Sequence, residues 1–270
     1  MGSGAPLVPA VLGSFHPVVR QWFSERFPEG PSDPQVEGWP RIAAGENVLI
    51  AAPTGTGKTL AGFLAAINEL FCRKAAVPAQ VPLVLSGNRG EWEANLGAAD
   101  ELEGKTGTSV IYISPLKALA VDVHHNLLQP LEQIRQVALT MGLEVPPIAC
   151  AVRTGDTTAS QRAAMTRKPP DIMVTTPESL YLLLTSAKSR ENLRRVRTVI
   201  VDEVHALTRD KRGSHLALSL ERLDAIQVEG PVQRVGLSAT QRPIESTARL
   251  LCGQDGGKRS NASTRRAPEP

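Results

Sequence analysis

Aromatic side chains are scarce in this 270-residue chain, at 4% of positions, so its interior must be packed largely from aliphatic ones. Cysteine is scarcer still. The three thiols, Cys72, Cys150 and Cys252, lie far apart and odd in number. That spacing excludes a zinc ribbon and a disulfide framework, and it fits a reducing cytoplasm. No apolar run approaches the ~18 residues that a membrane span requires. The N-terminal "MGSGAPLVPAVLG" has no basic segment ahead of a long apolar core, so a signal peptide is not expected. Charge of one sign is also lacking: the formal net charge is +3, of which the last seventeen residues supply +2 (four basic against two acidic groups). A balance so slight does not by itself argue for a nucleic-acid partner; clustering would have to. One cluster exists, "KSRENLRRVR" at 188–197, and a solvated helix face accounts for it.

What the chain does have is 41% apolar and 21% charged residues, enough to bury a core and too apolar for wholesale disorder. Its length suits one large α/β domain or two small ones. Short apolar runs without alternation recur: "NVLIAA", "SVIYIS", "PIACAV", "DIMVTT", "RTVIVD" and "QRVGLSA". Each is followed by a stretch with helical spacing, as in "LAGFLAAINELF", "ESLYLLLTS" and "SHLALSLERLDAIQ". Residues 116–142 read as one long helix on the same grounds. This order predicts a mostly parallel sheet with helices on both faces. Residues 1–14 read as a flexible leader, 73–108 as a surface insertion and 254–270 as a disordered tail. No internal repeat is present.

Three stretches carry chemistry. The first, "AAPTGTGKT" at 51–59, lies between a strand and a helix. Backbone N–H groups of Gly55, Thr56, Gly57 and Lys58 at a helix start form a phosphate-binding nest, with Thr54 in the same turn. Lys58 would neutralise β and γ phosphates, and the Thr59 hydroxyl would ligate Mg2+. Alternatively, the stretch is a Gly-rich turn followed by a chance Lys-Thr. Ala52 stands where the pattern has Gly, which is tolerable if its φ is negative. The second, "TVIVDEVH", ends an apolar strand in two carboxylates. At the C-terminal edge of a parallel sheet they face the ligand crevice. Asp202 would hold Mg2+, usually through water, and Glu203 would orient and deprotonate the attacking water. Alone, a strand running into a charged loop explains them better; the phosphate-loop motif upstream reverses that. The third, "GLSAT", places the hydroxyls of Ser238 and Thr240 where they would bond the Asp202–His205 turn and report phosphate loss. His124 and His125 read as exposed helix residues, not ligands.

Taken together and in order, "APTGTGKT", "DEVH" and "SAT" resemble the ATP-driven helicases of superfamily 2, of the DEAD/DEAH-box type. "YISPLKALAVDV", "VRTGDTTASQR", "DIMVTTPESLYLLLTS", "KRGSHLALSLERL" and "GLSATQRPIE" resemble the first motor domain of the large helicase-related (Lhr) proteins, from about residue 15 to residue 253. The resemblance implies a RecA-like P-loop domain over 15–253 that uses ATP and Mg2+. It gives Gln35 the role of reading the adenine edge. It implies contacts to single-stranded DNA or RNA, DNA being favoured, from loops at Pro115 and Lys117, at Arg153, Thr154 and Gly155, and at Thr176, Pro177 and Glu178. Each of these loops also reads as a helix cap. A helicase of this type closes two motor domains on ATP, the second supplying arginines, and nothing after residue 253 reads as one. A P-loop kinase or recombinase-type ATPase is disfavoured by "SAT" and "TTPES". The open alternatives are therefore an enzymatic motor domain and a nucleotide-dependent binding fragment or partner-dependent subunit.

Overall fold

The structure, a computed structural model, describes residues 10–75, 107–115, 123–208, 211–240 and 243–253. Among these, strands and helices alternate: a 3-10 turn at Ala10–Ser14, α1 (Pro17–Arg26), α2 (Asp33–Ala43), β1 (Val48–Ala51) and α3 (Lys58–Ala75). Then come β2 (Val110–Ile113), a π-helical turn (His124–Leu128) leading into α4 (Gln129–Thr140), β3 (Cys150–Arg153), α5 (Ala159–Arg167) and β4 (Ile172–Thr175). The remainder is α6 (Pro177–Thr185), α7 (Ala187–Asn192), β5 (Thr198–Val201), α8 (Val204–Leu207), α9 (Lys211–Ala225), β6 (Gln233–Ser238) and α10 (Ile244–Cys252).

The six strands form one sheet in the order β1-β6-β5-β2-β4-β3. Every pairing is parallel, so the expected "mostly" becomes "entirely" among the described strands. Alternate side chains of each strand enter different cores. Val110, Tyr112, Ile172, Val174 and Ile200 face one cluster with α1, α2 and α3. Ile111, Ile113, Met173, Val199 and Val201 face a second, with α6 and α9. Burial on both faces is why these strands are continuously apolar and do not alternate. At Gly236 in β6 an added Cβ would lie 2.8 Å from Leu251 and 2.9 Å from Leu49, so α10 packs on the strand only because no side chain intervenes.

Two expectations change. Residues 10–14, read as part of a flexible leader, form the 3-10 turn, and Leu12 is buried there in the same core as Phe15 and Trp39. Two apolar side chains so close together bury well even in a Gly/Pro-rich setting. The long helix expected over 116–142 is interrupted by the π-helical turn at 124–128, with Pro130 in the first turn of the α-helix that follows. His124 and His125 are exposed on that turn, as expected. Most of the expected insertion and all of the expected tail lie outside the described residues, although α3 continues through Arg73 and Lys74. Among the described residues no helix is long and apolar enough to cross a membrane.

Candidate functional site: the carboxyl edge of the sheet

A parallel sheet brings every strand's C-terminal end to one edge. All of the described candidate residues except Gln35, which lies on α2, sit at or beyond the C-terminal ends of the six strands, and strand order sorts them into two groups. β1, β6 and β5 lie together and lead into "APTGTGKT", "SAT" and "DEVH". The other three, β2, β4 and β3, lead into the loops at Pro115, Thr176 and Arg153.

In the first group, Gly55 (φ +83°) and Gly57 (φ +80°) take the left-handed conformation that only glycine adopts freely. Two such residues within one turn, ahead of α3, give the backbone course of an anion nest. Ala52 is buried, has an unstrained φ, and donates its N–H to Ser238 O at 3.2 Å, so "SAT" borders the phosphate loop directly. Lys58, only 7% exposed, folds back so that its Nζ donates to Pro53 O at 2.8 Å. The Thr56 hydroxyl donates to the same carbonyl at 2.8 Å. Thr54 is exposed, and Thr59 lies half-buried in the first turn of α3.

Gln35 is buried against this loop. Its Oε1 accepts the Ser32 N–H at 3.0 Å, capping α2, while its Nε2 lies 3.4 Å from Gly57 O. The Ser32 hydroxyl donates to Thr56 O at 2.9 Å. Thus α2 supports the phosphate loop through two side chains, one of which, Ser32, the sequence reading did not single out. A capping box beside a Gly-rich loop was the signal for it.

Immediately after β5, Asp202 is 8% exposed. Its Oδ1 accepts the Glu203 N–H at 2.8 Å, and its Oδ2 accepts the hydroxyl of Tyr112 from β2. Glu203 adopts φ 49° and ψ 39°, the only non-glycine positive φ among the described residues. That conformation costs an L-residue about 1–2 kcal/mol and turns the carboxylate off the strand axis. Its Oε2 lies 3.1 Å from His205 Nε2, while His205 Nδ1 accepts the Ala239 N–H at 3.1 Å. Because Nδ1 accepts, the neutral ring carries its proton on Nε2 and donates it to Glu203. The bridge from "DEVH" to "SAT" therefore runs through His205 and a backbone amide. The Ser238 hydroxyl instead donates to Ala239 O at 2.9 Å, and Thr240 is exposed on the rim.

In the second group, Thr176 caps α6 by accepting the Ser179 N–H at 3.3 Å, with Pro177 buried behind it. Ser114 N–H donates to Thr175 O at 3.1 Å, and the Thr175 hydroxyl donates to Arg153 O at 2.7 Å, so the three loops are laced in sequence across the edge. The Thr154 N–H donates to the Thr157 hydroxyl at 2.9 Å, and Gly155 O accepts from Arg162 at 2.9 Å. Arg153 lines a small cleft together with Arg162, Met165, Met173 and Leu183. Burial, and then the charge of Arg162, lowers its pKa. Glu178 turns to Arg212 on α9, whose Nε lies 2.6 Å from its Oε1 and whose Nη2 donates to Pro115 O at 3.3 Å. Partial burial raises the Glu178 carboxyl, but the Arg212 hydrogen bond and charge outweigh it and hold it below the usual range. Arg212 was not singled out from sequence; an Arg at the head of an amphipathic helix carries no local signal. Lys117 lies outside the described residues.

Residues 32–247 match the family model described as DEAD/DEAH box helicase. The chain is 51% identical over 243 residues to the Lhr helicase/probable uracil glycosylase of Mycolicibacterium smegmatis, covering 90% of this chain and 14% of that protein. It is 45% identical to the ATP-dependent helicase Lhr-Core protein 2 of Thermococcus barophilus, covering 90% of this chain and 25% of that one. The solved structure of Mycobacterium smegmatis helicase Lhr bound to ssDNA and AMP-PNP superposes with a TM-score of 0.74 at 49% identity, over 90% of this chain and 27% of that chain. These 270 residues thus span a quarter or less of the length of those two relatives. The chain belongs to the DEAD/DEAH box helicase family, as a RecA-like motor domain of the Lhr type.

Proposed function

We propose that the chain binds ATP at the β1-β6-β5 end of the edge and a single nucleic-acid strand at the β2-β4-β3 end, as the first motor domain of an ATP-dependent helicase. One observation carries this reading: the strand order places the phosphate loop, the Asp202–Glu203 pair and the "SAT" loop side by side. Lys58 would exchange Pro53 O for a phosphate oxygen, and Glu203 would take a proton from the attacking water while His205 holds it. Gln35 would meet the adenine edge with whatever hydrogen-bonding capacity the loop leaves it. The domain is taken as 15–253, in a reducing, cytoplasmic setting.

The donor set fits Mg2+. Among the described residues no group of three or more His, Cys, Asp and Glu forms a metal cage. Mg2+ in nucleotide sites does without one, since phosphates and water supply most of its ligands. Thr59 and Asp202 would hold it, and it would neutralise charge on the phosphates.

The strand contacts would go to sugar and phosphate, through Pro115, Lys117, Arg153, Thr154, Gly155, Thr176, Pro177 and Glu178, and so would be independent of base sequence. DNA is favoured over RNA because the relative that is 49% identical was solved with ssDNA. Unwinding would need a second motor domain closing over the same edge. The test is ATP-analogue binding and strand displacement by the 270-residue chain beside Lys58→Ala. We expect the parent to bind nucleotide and single strands without displacing a duplex. The variant should lose about a hundredfold in nucleotide affinity, as for one contact to a charged group. Equal nucleotide binding by the two would sink the phosphate-loop assignment. Robust ATP-dependent displacement by the parent would sink the need for a second domain.

A further inference from the structure

Strand β2 is aliphatic at every position but one, Tyr112, although it runs through the middle of the sheet. The ring is 1% exposed and stacks on Phe63 with centroids 4.4 Å apart and planes 28° from parallel. Phe63 belongs to the helix that begins with Lys58 and Thr59. A phenylalanine would fill the same volume, so the core does not need the hydroxyl. That hydroxyl donates to Oδ2 of Asp202, the residue that follows the neighbouring strand β5. Oδ1 of the same carboxylate is held at 2.8 Å by the Glu203 N–H. Two donors, one per oxygen, define the plane of the carboxylate before any ligand arrives. Two residues beyond Tyr112, β2 opens into the Ser114–Pro115 loop, which carries the first candidate strand contact.

We propose that Tyr112 is a positioning residue for Mg2+-dependent nucleotide binding: its hydroxyl orients the Asp202 carboxylate toward the cation's water shell and anchors that carboxylate to the strand leading into the Pro115 loop. This rests on the assignment of the nucleotide site given above and adds to it a residue that touches neither nucleotide nor metal. Partners that orient metal-facing groups typically contribute tenfold to a hundredfold in metal affinity. A carboxylate free to rotate in a site this buried would meet the cation's waters in only a fraction of its orientations.

The test compares Tyr112→Phe with the parent, using a fluorescent non-hydrolysable ATP analogue titrated with MgCl2. Tyr112→Phe keeps the ring and its stacking. The Mg2+ concentration at half-maximal binding should rise about tenfold, while binding in EDTA stays unchanged. Phe63→Leu is the control for packing alone: it should lower the melting temperature and leave the Mg2+ midpoint within about twofold. An unshifted midpoint in Tyr112→Phe overturns the proposal, as does an equal shift in both variants, which would mean general loosening of the core. A parent with no Mg2+-dependent binding overturns the nucleotide site itself and this role with it. A parent that binds beside an unshifted Tyr112→Phe overturns only the role of Tyr112.

Discussion

The two halves of the sheet's carboxyl edge are built differently. Around β1, β6 and β5 three of the working side chains are buried, Lys58, Asp202 and Ser238 each under 10% exposed, while Thr54 and Thr240 on the rim are exposed. Glu203 is held in a strained backbone conformation by the structure around it. Around β2, β4 and β3 the polar groups reach solvent: Glu178 and Arg212 pair at 53% and 40% side-chain exposure, and Gly155 is exposed. The contrast follows from the ligands proposed for each half. Stabilising charge that develops on a phosphoryl group demands fixed dipoles in a site shielded from water. Following a sugar-phosphate backbone of any sequence demands only accessible donors at roughly regular spacing, which water tolerates.

The sharpest way to break this comparison is Glu203→Gln. It preserves shape and can still meet His205 but removes the base. Nucleotide affinity should stay within about twofold, while any strand-stimulated hydrolysis should fall by roughly 10²–10⁴. Steady-state phosphate release beside equilibrium analogue binding checks it, and unchanged release would remove Glu203 from the chemistry. On the other half, Arg212→Ala frees both Glu178 and the Pro115 carbonyl. An unpaired carboxylate then faces the strand path, and oligonucleotide affinity should fall about tenfold, with nucleotide affinity unaffected. Fluorescence anisotropy with labelled dT oligomers reads this. Loss of both affinities together would show that the halves do not work separately.

The smallest effect is acid sensitivity. Because the Glu178 carboxyl is held below its usual range, its pairing stabilises the fold above the unfolded-state carboxylate pKa. That contribution is lost as pH falls through the lowered folded value. At 53% exposure, solvent screening reduces it to a few tenths of a kcal/mol. The urea midpoint of Arg212→Gln should therefore sit slightly below the parent's at pH 7 and converge on it in acid, once the pH has fallen below the lowered folded value. An identical gap at both pH values would show that Arg212 acts by packing alone.

Much of the fold was legible in the residues. Six apolar runs became six strands, and helices follow where the spacing places them. The misses have local causes. The 3-10 turn at Ala10–Ser14 has too few residues to show a period, and the short helices Ala187–Asn192 and Val204–Leu207 are less than two turns long. In the site, the phosphate loop and the carboxylates were visible because their chemistry is concentrated in contiguous stretches. Tyr112, Arg212 and Ser32 were not, because each acts on a group distant in sequence.

The sequence by itself determined which chemistry is present: a Gly-Lys-Thr turn between strand and helix, a carboxylate pair at a strand end, and strands apolar enough to be buried on both faces. Only the tertiary structure decided how these meet. The order β1-β6-β5-β2-β4-β3 puts residue 238 beside residue 52 and a β2 phenol against the carboxylate that follows β5. Local propensity governs dihedrals over a few residues. Which strand lies beside which depends on how helices on two faces share the burial of one sheet, a property of the whole chain.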